Sequence, residues 1–194
     1  MQFAGDEVSR CRLLLEKIGE AAACGVDFIQ LREKDLPVRQ LEELACEAVS
    51  VVQNNSRGKT RLLINSRSDV AIASAADGVH LRSDDISPRD AHLFGQLTIG
   101  VSCHSLSDVE RAKNDGADFA VFGPVFEKKN SRPAGLDLLR QACGLEIPVF
   151  ALGGVTVENA RACVDAGAAG IAAIRLFQEN DVADVVRQLV QRCA

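Results

Sequence analysis

The chain lacks a face of one charge sign. Its 22 Lys and Arg are interspersed among 27 Asp and Glu, for a formal net charge of −5, so it has no basic stripe of the kind that nucleic-acid binders carry. The opening "MQFAGDEVSR" has neither the basic flank nor the apolar centre of a signal peptide. No later run approaches the roughly 20 apolar residues of a membrane span. Nucleic acid and membrane are therefore excluded as expected partners, and a cytoplasmic location is expected. The seven cysteines form no C-x-x-C pair. Most fall in helical patterns (Cys11, Cys24, Cys46, Cys143, Cys163) and read as reduced, space-filling thiols without a metal; only Cys103 lies near a candidate site. No linker or low-complexity stretch appears, so one domain spanning 1–194 is expected.

A hydrophobic content of 47% over 194 residues is enough to build a substantial core. Asp6 is placed to cap a helix running to about Cys24, with Leu13, Leu14, Ile18 and Ala21 near helical spacing. Beyond it, seven short apolar runs ("VDFIQLR", "RLLIN", "DGVHL", "LTIGVS", "DFAVFG", "IPVFALGG", "GIAAIR") are each followed by a helical pattern. That alternation predicts a parallel sheet covered by helices. The first-turn fingerprint G-x-G-x-x-G of an open dinucleotide-binding sheet is missing. Polar or glycine residues instead recur at strand C-termini, which favours an α/β fold of the (β/α)8 barrel type. The count is seven strands and eight helices, because the chain opens on a helix and "MQFAG" is too short and glycine-limited for a first strand. A gap in the barrel is therefore expected, with altered packing or a partner chain over its unpaired edges and a homodimer as the preferred state.

In "FIQLREKDL", strand alternation puts Ile29 and Leu31 on one side and Phe28, Gln30 and Arg32 on the other. Gln30 and Arg32 then face the barrel axis at the strand's C-terminal end, with Lys34 just beyond. A solvated strand terminus accounts for such residues. So does an anion site, in which a guanidinium fork, an ammonium and an amide converge on a pyrophosphate.

This stretch, followed by "INSRSDVAIASAADGVHL", "GVSCHS", "GPVF" and "ALGGV" in that order, resembles the thiamine-phosphate synthase family and its TenI-like relatives from Val26 to Phe177. The resemblance implies an eight-stranded barrel whose first strand is absent here. It also implies a transferase that joins an aminopyrimidine methyl pyrophosphate to a thiazole phosphate, with magnesium and cationic side chains stabilising the departing pyrophosphate. Gln30, Arg32, Lys34 and Asn65 match the family's pyrimidine and pyrophosphate binders, and Ser102 matches a serine near the reacting centre. Asp85 matches one of two magnesium aspartates; Ser66 stands where the other is expected. Asp85 is equally placed to cap a helix ahead of Ile86 and Pro88. The loop "GPVFEKKNSRPAG" lacks the family's "PTxTK" threonines, leaving Lys128 or Lys129 as substitute cations. Pro124 stands where a TenI-type tautomerase carries histidine. Gly153 and Gly154, ahead of a helix that Thr156 is placed to cap, match a cradle for the thiazole phosphate. Arg175 adds a phosphate fork or fills the cavity. His104 is the nearest imidazole to the reacting centre, while His80 and His92 are assigned no catalytic role. A TenI-like thiazole tautomerase is the alternative enzyme, and a noncatalytic binder or regulator of thiamine precursors is the alternative outside enzyme chemistry.

Overall fold

The structure, a computed structural model, describes residues 7–56, 58–127 and 132–193. Its seven strands are β1 (Phe28–Leu31), β2 (Arg61–Asn65), β3 (Gly78–Leu81), β4 (Thr98–Cys103), β5 (Phe119–Phe122), β6 (Val149–Leu152) and β7 (Gly170–Ala172). They form one parallel sheet in the order β1-β2-β3-β4-β5-β6-β7, as the alternating sequence pattern predicts. Helix α1 (Glu7–Ala23) precedes β1, and the connections carry α2 (Val38–Asn55), α3 (Ser68–Ala73), α4 (Pro88–Ala91), α5 (Leu106–Asn114), α6 (Gly135–Cys143) and α7 (Ala160–Asp165). After β7 come α8 (Arg175–Gln178) and α9 (Val182–Cys193). The expectation of eight helices is thus exceeded among the described residues. The run "GIAAIR" yields only a three-residue strand, because Arg175 already opens the extra helix α8. No helix among the described residues is long and apolar enough to cross a membrane.

The sheet is rolled up. Strands β1 and β5 are four positions apart, which is about 19 Å in a flat sheet, yet the rings of Phe28 and Phe119 have centroids 4.9 Å apart. Phe150 of β6 completes the cluster at 5.8 Å from Phe28 and 5.2 Å from Phe119. Each edge-on or tilted pair adds about 0.5–1.5 kcal/mol beyond its buried area. Sheet register makes room for these rings by opposing a glycine to a phenylalanine on the neighbouring strand: Gly100 faces Phe119 and Gly170 faces Phe150. A Cβ on Gly100 would lie 2.3 Å from the Phe119 ring.

Two further apolar clusters occupy the space between sheet and helices. Leu31, Leu62 and Ile64 pack with Leu41, Leu44 and Ala48 of α2 on one side. Val79, Ile99, Ala120, Phe122 and Ala151 pack with Val109, Leu139 and Cys163 on the other. Ile29 and Leu31 therefore face the helix layer and Phe28 the interior, as alternation predicts. The thiols divide: Cys103 and Cys163 are buried, whereas Cys46 is exposed on α2 and fills no core space.

A repeated connector sets where strands begin. Gly25, Ala75, Gly116 and Gly167 all have positive φ at a helix C-terminus, the left-handed exit that glycine favours. Three of these connectors place an aspartate two residues later. Asp77 accepts from the Leu62 amide of β2 at 2.7 Å and Asp118 from the Ile99 amide of β4 at 2.7 Å, stitching each strand's start to its neighbour.

Strands β1 and β7 are the two edges of the ladder. Outside that opening, α1 packs against both α2 and α9, so the helical layer continues where the strands stop. The expected Asp6 cap and the question of a first strand within "MQFAG" lie outside the described residues.

Candidate active site

Parallel strands carry their inward side chains to a common C-terminal end. On four successive strands these are Gln30, Asn65, His80 and Ser102, which share the interior face with Phe28, Leu63, Gly78 and Gly100 respectively. From β5, β6 and β7 the same level receives Val121, Leu152 and Ala172, two of them packed on the Leu63–Phe119 cluster. One half of the mouth is therefore polar side chain and the other is aliphatic and glycine backbone.

Asn65, Ser66 and Asp85 lie side by side. Asn65 Nδ2 donates to Ser66 Oγ at 3.1 Å, and the Ser66 hydroxyl is near enough to the Asp85 carboxylate to lower its pKa. That carboxylate accepts from the Arg82 amide at 2.7 Å and from Arg82 Nε at 3.2 Å. Burial pushes the Asp85 carboxyl upward, but these donors and the Arg82 charge outweigh it and hold it below the usual carboxylate range. Asp85 does not cap the following helix. Ser87 does, its Oγ accepting from the Asp90 amide at 3.1 Å. Ser66 sits at φ 60, a left-handed conformation uncommon outside glycine, asparagine and aspartate, and its amide donates to the His80 carbonyl at 2.9 Å.

His80 is 8% exposed, and its Nε2 lies 2.9 Å from Ser102 Oγ. Burial, then the charge of Arg32, push its pKa down to about 4 against the opposing pull of Asp85. The imidazole is neutral at physiological pH, and Arg32 is close enough for its charge to be felt inside the barrel. Arg32, Asn65, Asp85 and Ser102 are thus brought into one neighbourhood. Gln30, Arg32 and Lys34 are all exposed at the end of β1.

His104 Nδ1–H donates to the Gly123 carbonyl at 2.6 Å and ties the ends of β4 and β5 together. Asp108 accepts from the His104 and Ser105 amides, both at 3.0 Å, and closes a capping box with Ser105 at the start of α5. His92 Nε2–H donates to the Gly116 carbonyl at 3.0 Å. A cleft of about 120 Å³ bordered by Arg82, Val101, Asp108 and Arg111 lies beside the mouth; Val101 faces the helix layer, so the cleft is outside the barrel.

Across the mouth, Gly153 and Gly154 have φ 94 and 65. A Cβ on Gly153 would lie 2.6 Å from Pro124 Cα, and one on Gly154 would lie 2.8 Å from Phe126 Cβ. The pair thus lets the β6 loop approach the β5 loop, and the Phe126 amide donates to the Gly153 carbonyl at 3.0 Å. Helix α7 starts only at Ala160, and in the turn ahead of it Asn159 Oδ1 accepts from the Thr156 amide at 2.8 Å. Thr156 therefore stands ahead of a turn and is not the helix cap. Arg175 is exposed at the start of α8, so it does not fill the cavity. Lys128 and Lys129 lie outside the described residues.

Magnesium favours one or two carboxylates completed by phosphate oxygens and water. The described residues contain no group of three or more His, Cys, Asp or Glu that could hold a metal. Asp85 with the neighbouring Ser66 hydroxyl offers one carboxylate, a donor set that fits magnesium only together with oxygens from a bound pyrophosphate. Sequence reasoning missed the Ser66–Asp85 and His80–Ser102 contacts; strand alternation, which turns His80 inward beside Ser102, was the available signal.

The thiamine monophosphate synthase family profile matches residues 5–177. Thiamine-phosphate synthase of Chloroflexus aurantiacus is 38% identical over 189 residues, covering 94% of this chain and 86% of that protein. The enzyme of the same name from Chlorobium luteolum is 38% identical over 167 residues, covering 82% and 77%. Among solved structures, thiamine phosphate pyrophosphorylase from Pyrococcus furiosus superposes with a TM-score of 0.82 at 31% identity, covering 92% of this chain and 88% of the other.

Proposed function

The chain belongs to the thiamine monophosphate synthase family, and from that premise we propose that it joins hydroxymethylpyrimidine pyrophosphate to thiazole phosphate with release of pyrophosphate. The observation that carries this reading is the meeting of family-matched residues from successive strands at one end of the barrel. Arg32, Asn65, Asp85 and Ser102 all bear on the neighbourhood of His80 or Ser66.

In this reading Gln30 and Asn65 hold the pyrimidine through their amides, while Arg32 and Lys34 receive the pyrophosphate. The bond between the methyl carbon and the pyrophosphate oxygen breaks with its electron pair staying on pyrophosphate, and the thiazole nitrogen lone pair closes the new C–N bond. No strong base is required; the barrier falls with stabilisation of leaving-group charge. Ser102 contributes a hydroxyl at that centre. Gly153, Gly154 and Arg175 take the thiazole phosphate across the mouth, and Lys128 or Lys129 supply further cations. Asp85 and Ser66 would hold magnesium, which when bound supplies positive charge to the departing pyrophosphate.

Ser66 in place of an aspartate, with the missing threonine pair of the β5 loop, favours a second reading as a noncatalytic binder of the same precursors. Incubation with both substrates and magnesium, following pyrophosphate release and thiamine phosphate formation, tests the proposal. Release supports the synthase. Binding of the pyrimidine pyrophosphate without release supports the binder. The open edges of β1 and β7 support association of two copies, which sedimentation equilibrium tests.

A further inference from the structure

Buried histidines in a sheet interior are often mere packing residues, yet His80 meets one polar side chain there, and that side chain belongs to the proposed site. Its Nε2 is 2.9 Å from Ser102 Oγ, its ring packs edge-on against Phe119 at 6.3 Å and 87°, and its carbonyl accepts from the Ser66 amide. The ring is therefore held by its own strand, by the aromatic cluster and by Ser102.

We propose that His80 is a positioning residue whose Nε2–H donates to Ser102 Oγ, turning the serine proton outward as a donor to an anionic oxygen at the mouth. The inference rests on the synthase reading for the identity of that anion. A neutral imidazole has one N–H and one lone pair, and a hydroxyl has one proton and two lone pairs. The two groups therefore have two arrangements. If Ser102 donated to Nε2, it would show only lone pairs to an incoming phosphate and repel it. If Nε2–H donates, the serine proton is free for the phosphate, and the charge-assisted hydrogen bond is of the stronger kind. The ring is 8% exposed and wedged against Phe119, with Ser102 Oγ the side-chain atom its Nε2 meets, so it acts through the direction of one proton.

Two measurements test this on the full chain. Long-range 1H–15N NMR of the imidazoles reports which nitrogen of His80 carries the proton; Nε2–H is expected, and Nδ1–H overturns the proposal. Calorimetry with inorganic pyrophosphate and magnesium then follows a double-mutant cycle. Ser102→Ala is expected to weaken binding about tenfold or more, and His80→Leu about threefold to tenfold with Ser102 present. In the Ser102→Ala background His80→Leu should change affinity less than about twofold, because the two act as one unit. His80→Gln, which keeps an N–H near Nε2, should restore most of the loss and covers the case in which His80→Leu fails to fold. Additive losses, or no rescue by glutamine, overturn the proposal. The NMR spectrum needs no ligand. Failure of wild-type protein to bind pyrophosphate would sink the synthase reading and the anion-facing role, while the tautomer would still show which group donates.

Discussion

Acidification should cost the fold stability through His80. The folded imidazole takes up a proton only near pH 4, whereas its ordinary value is 6.5. Between those values the unfolded chain binds a proton that the folded chain refuses, so stability is intact above about pH 6.5 and falls as the pH drops toward 4. At pH 5 the loss is about 2 kcal/mol, levelling near 3 kcal/mol below pH 4. The ring is 8% exposed, so solvent screening does little to reduce it. Urea unfolding at pH 7.5 and pH 5.0 measures the effect, with His80→Gln as a protein that cannot titrate there. Wild type should lose about 2 kcal/mol more than the variant. The carboxyls of Asp69, Asp85 and Asp108 are held below their usual 3.8; their contributions are lost only at lower pH and are common to both proteins. Equal losses in wild type and His80→Gln would show that the histidine is solvated in the folded chain and refute the reasoning.

Three more perturbations separate the parts of the site and fold. Arg32→Ala should weaken pyrophosphate-containing ligands by roughly 1.5–3 kcal/mol while leaving thermal stability nearly unchanged, since the side chain is exposed; calorimetry showing unchanged affinity would return "QLREK" to a solvated strand end. Ser66→Asp should lower the magnesium concentration at which pyrophosphate binds, because a second carboxylate would then join Asp85; a magnesium titration showing no change would separate position 66 from the metal. Gly100→Ala should cost about 1–3 kcal/mol of stability, read by urea unfolding, because its methyl would fall 2.3 Å from the Phe119 ring; a neutral result would mean the aromatic cluster can shift freely.

Strand positions were legible because parallel strands buried on both faces write themselves as short apolar runs, and alternation within "FIQLR" correctly separated Phe28 from Ile29 and Leu31. The rolled sheet followed from polar strand ends. What stayed hidden depended on contacts between distant segments. Nothing in "RLLINSRSD" shows that Ser66 will lie beside the Asp85 carboxylate, and "DGVHL" shows the inward direction of His80 but not its partner 22 residues away. Local signals also competed. Asp85 and Thr156 both look like helix caps, but Ser87 and Asn159 perform the nearby hydrogen bonding. "GIAAIR" has strand composition, yet its last residue starts a helical turn. Gly153 and Gly154 read as a phosphate cradle from sequence; the structure adds a steric reason for them, the closeness of Pro124 and Phe126.

The division of the mouth into a side-chain half from β1–β4 and a backbone half from β5–β7 has a consequence for how the site is to be mapped. An alanine scan deletes side-chain atoms, so under the proposed function it would register Gln30, Arg32, Asn65 and Ser102 and pass over the loops at Gly123, Gly153 and Gly154. At those glycines alanine adds an atom. A Cβ on Gly123 would stand 2.1 Å from the Leu152 carbonyl oxygen, so the substitution would damage the scaffold before it reported on any ligand. Amide-to-ester replacement, which removes a single backbone N–H and adds no bulk, is the perturbation that can interrogate that side. A map built from alanine alone would make the ligand look as though it were gripped from one direction.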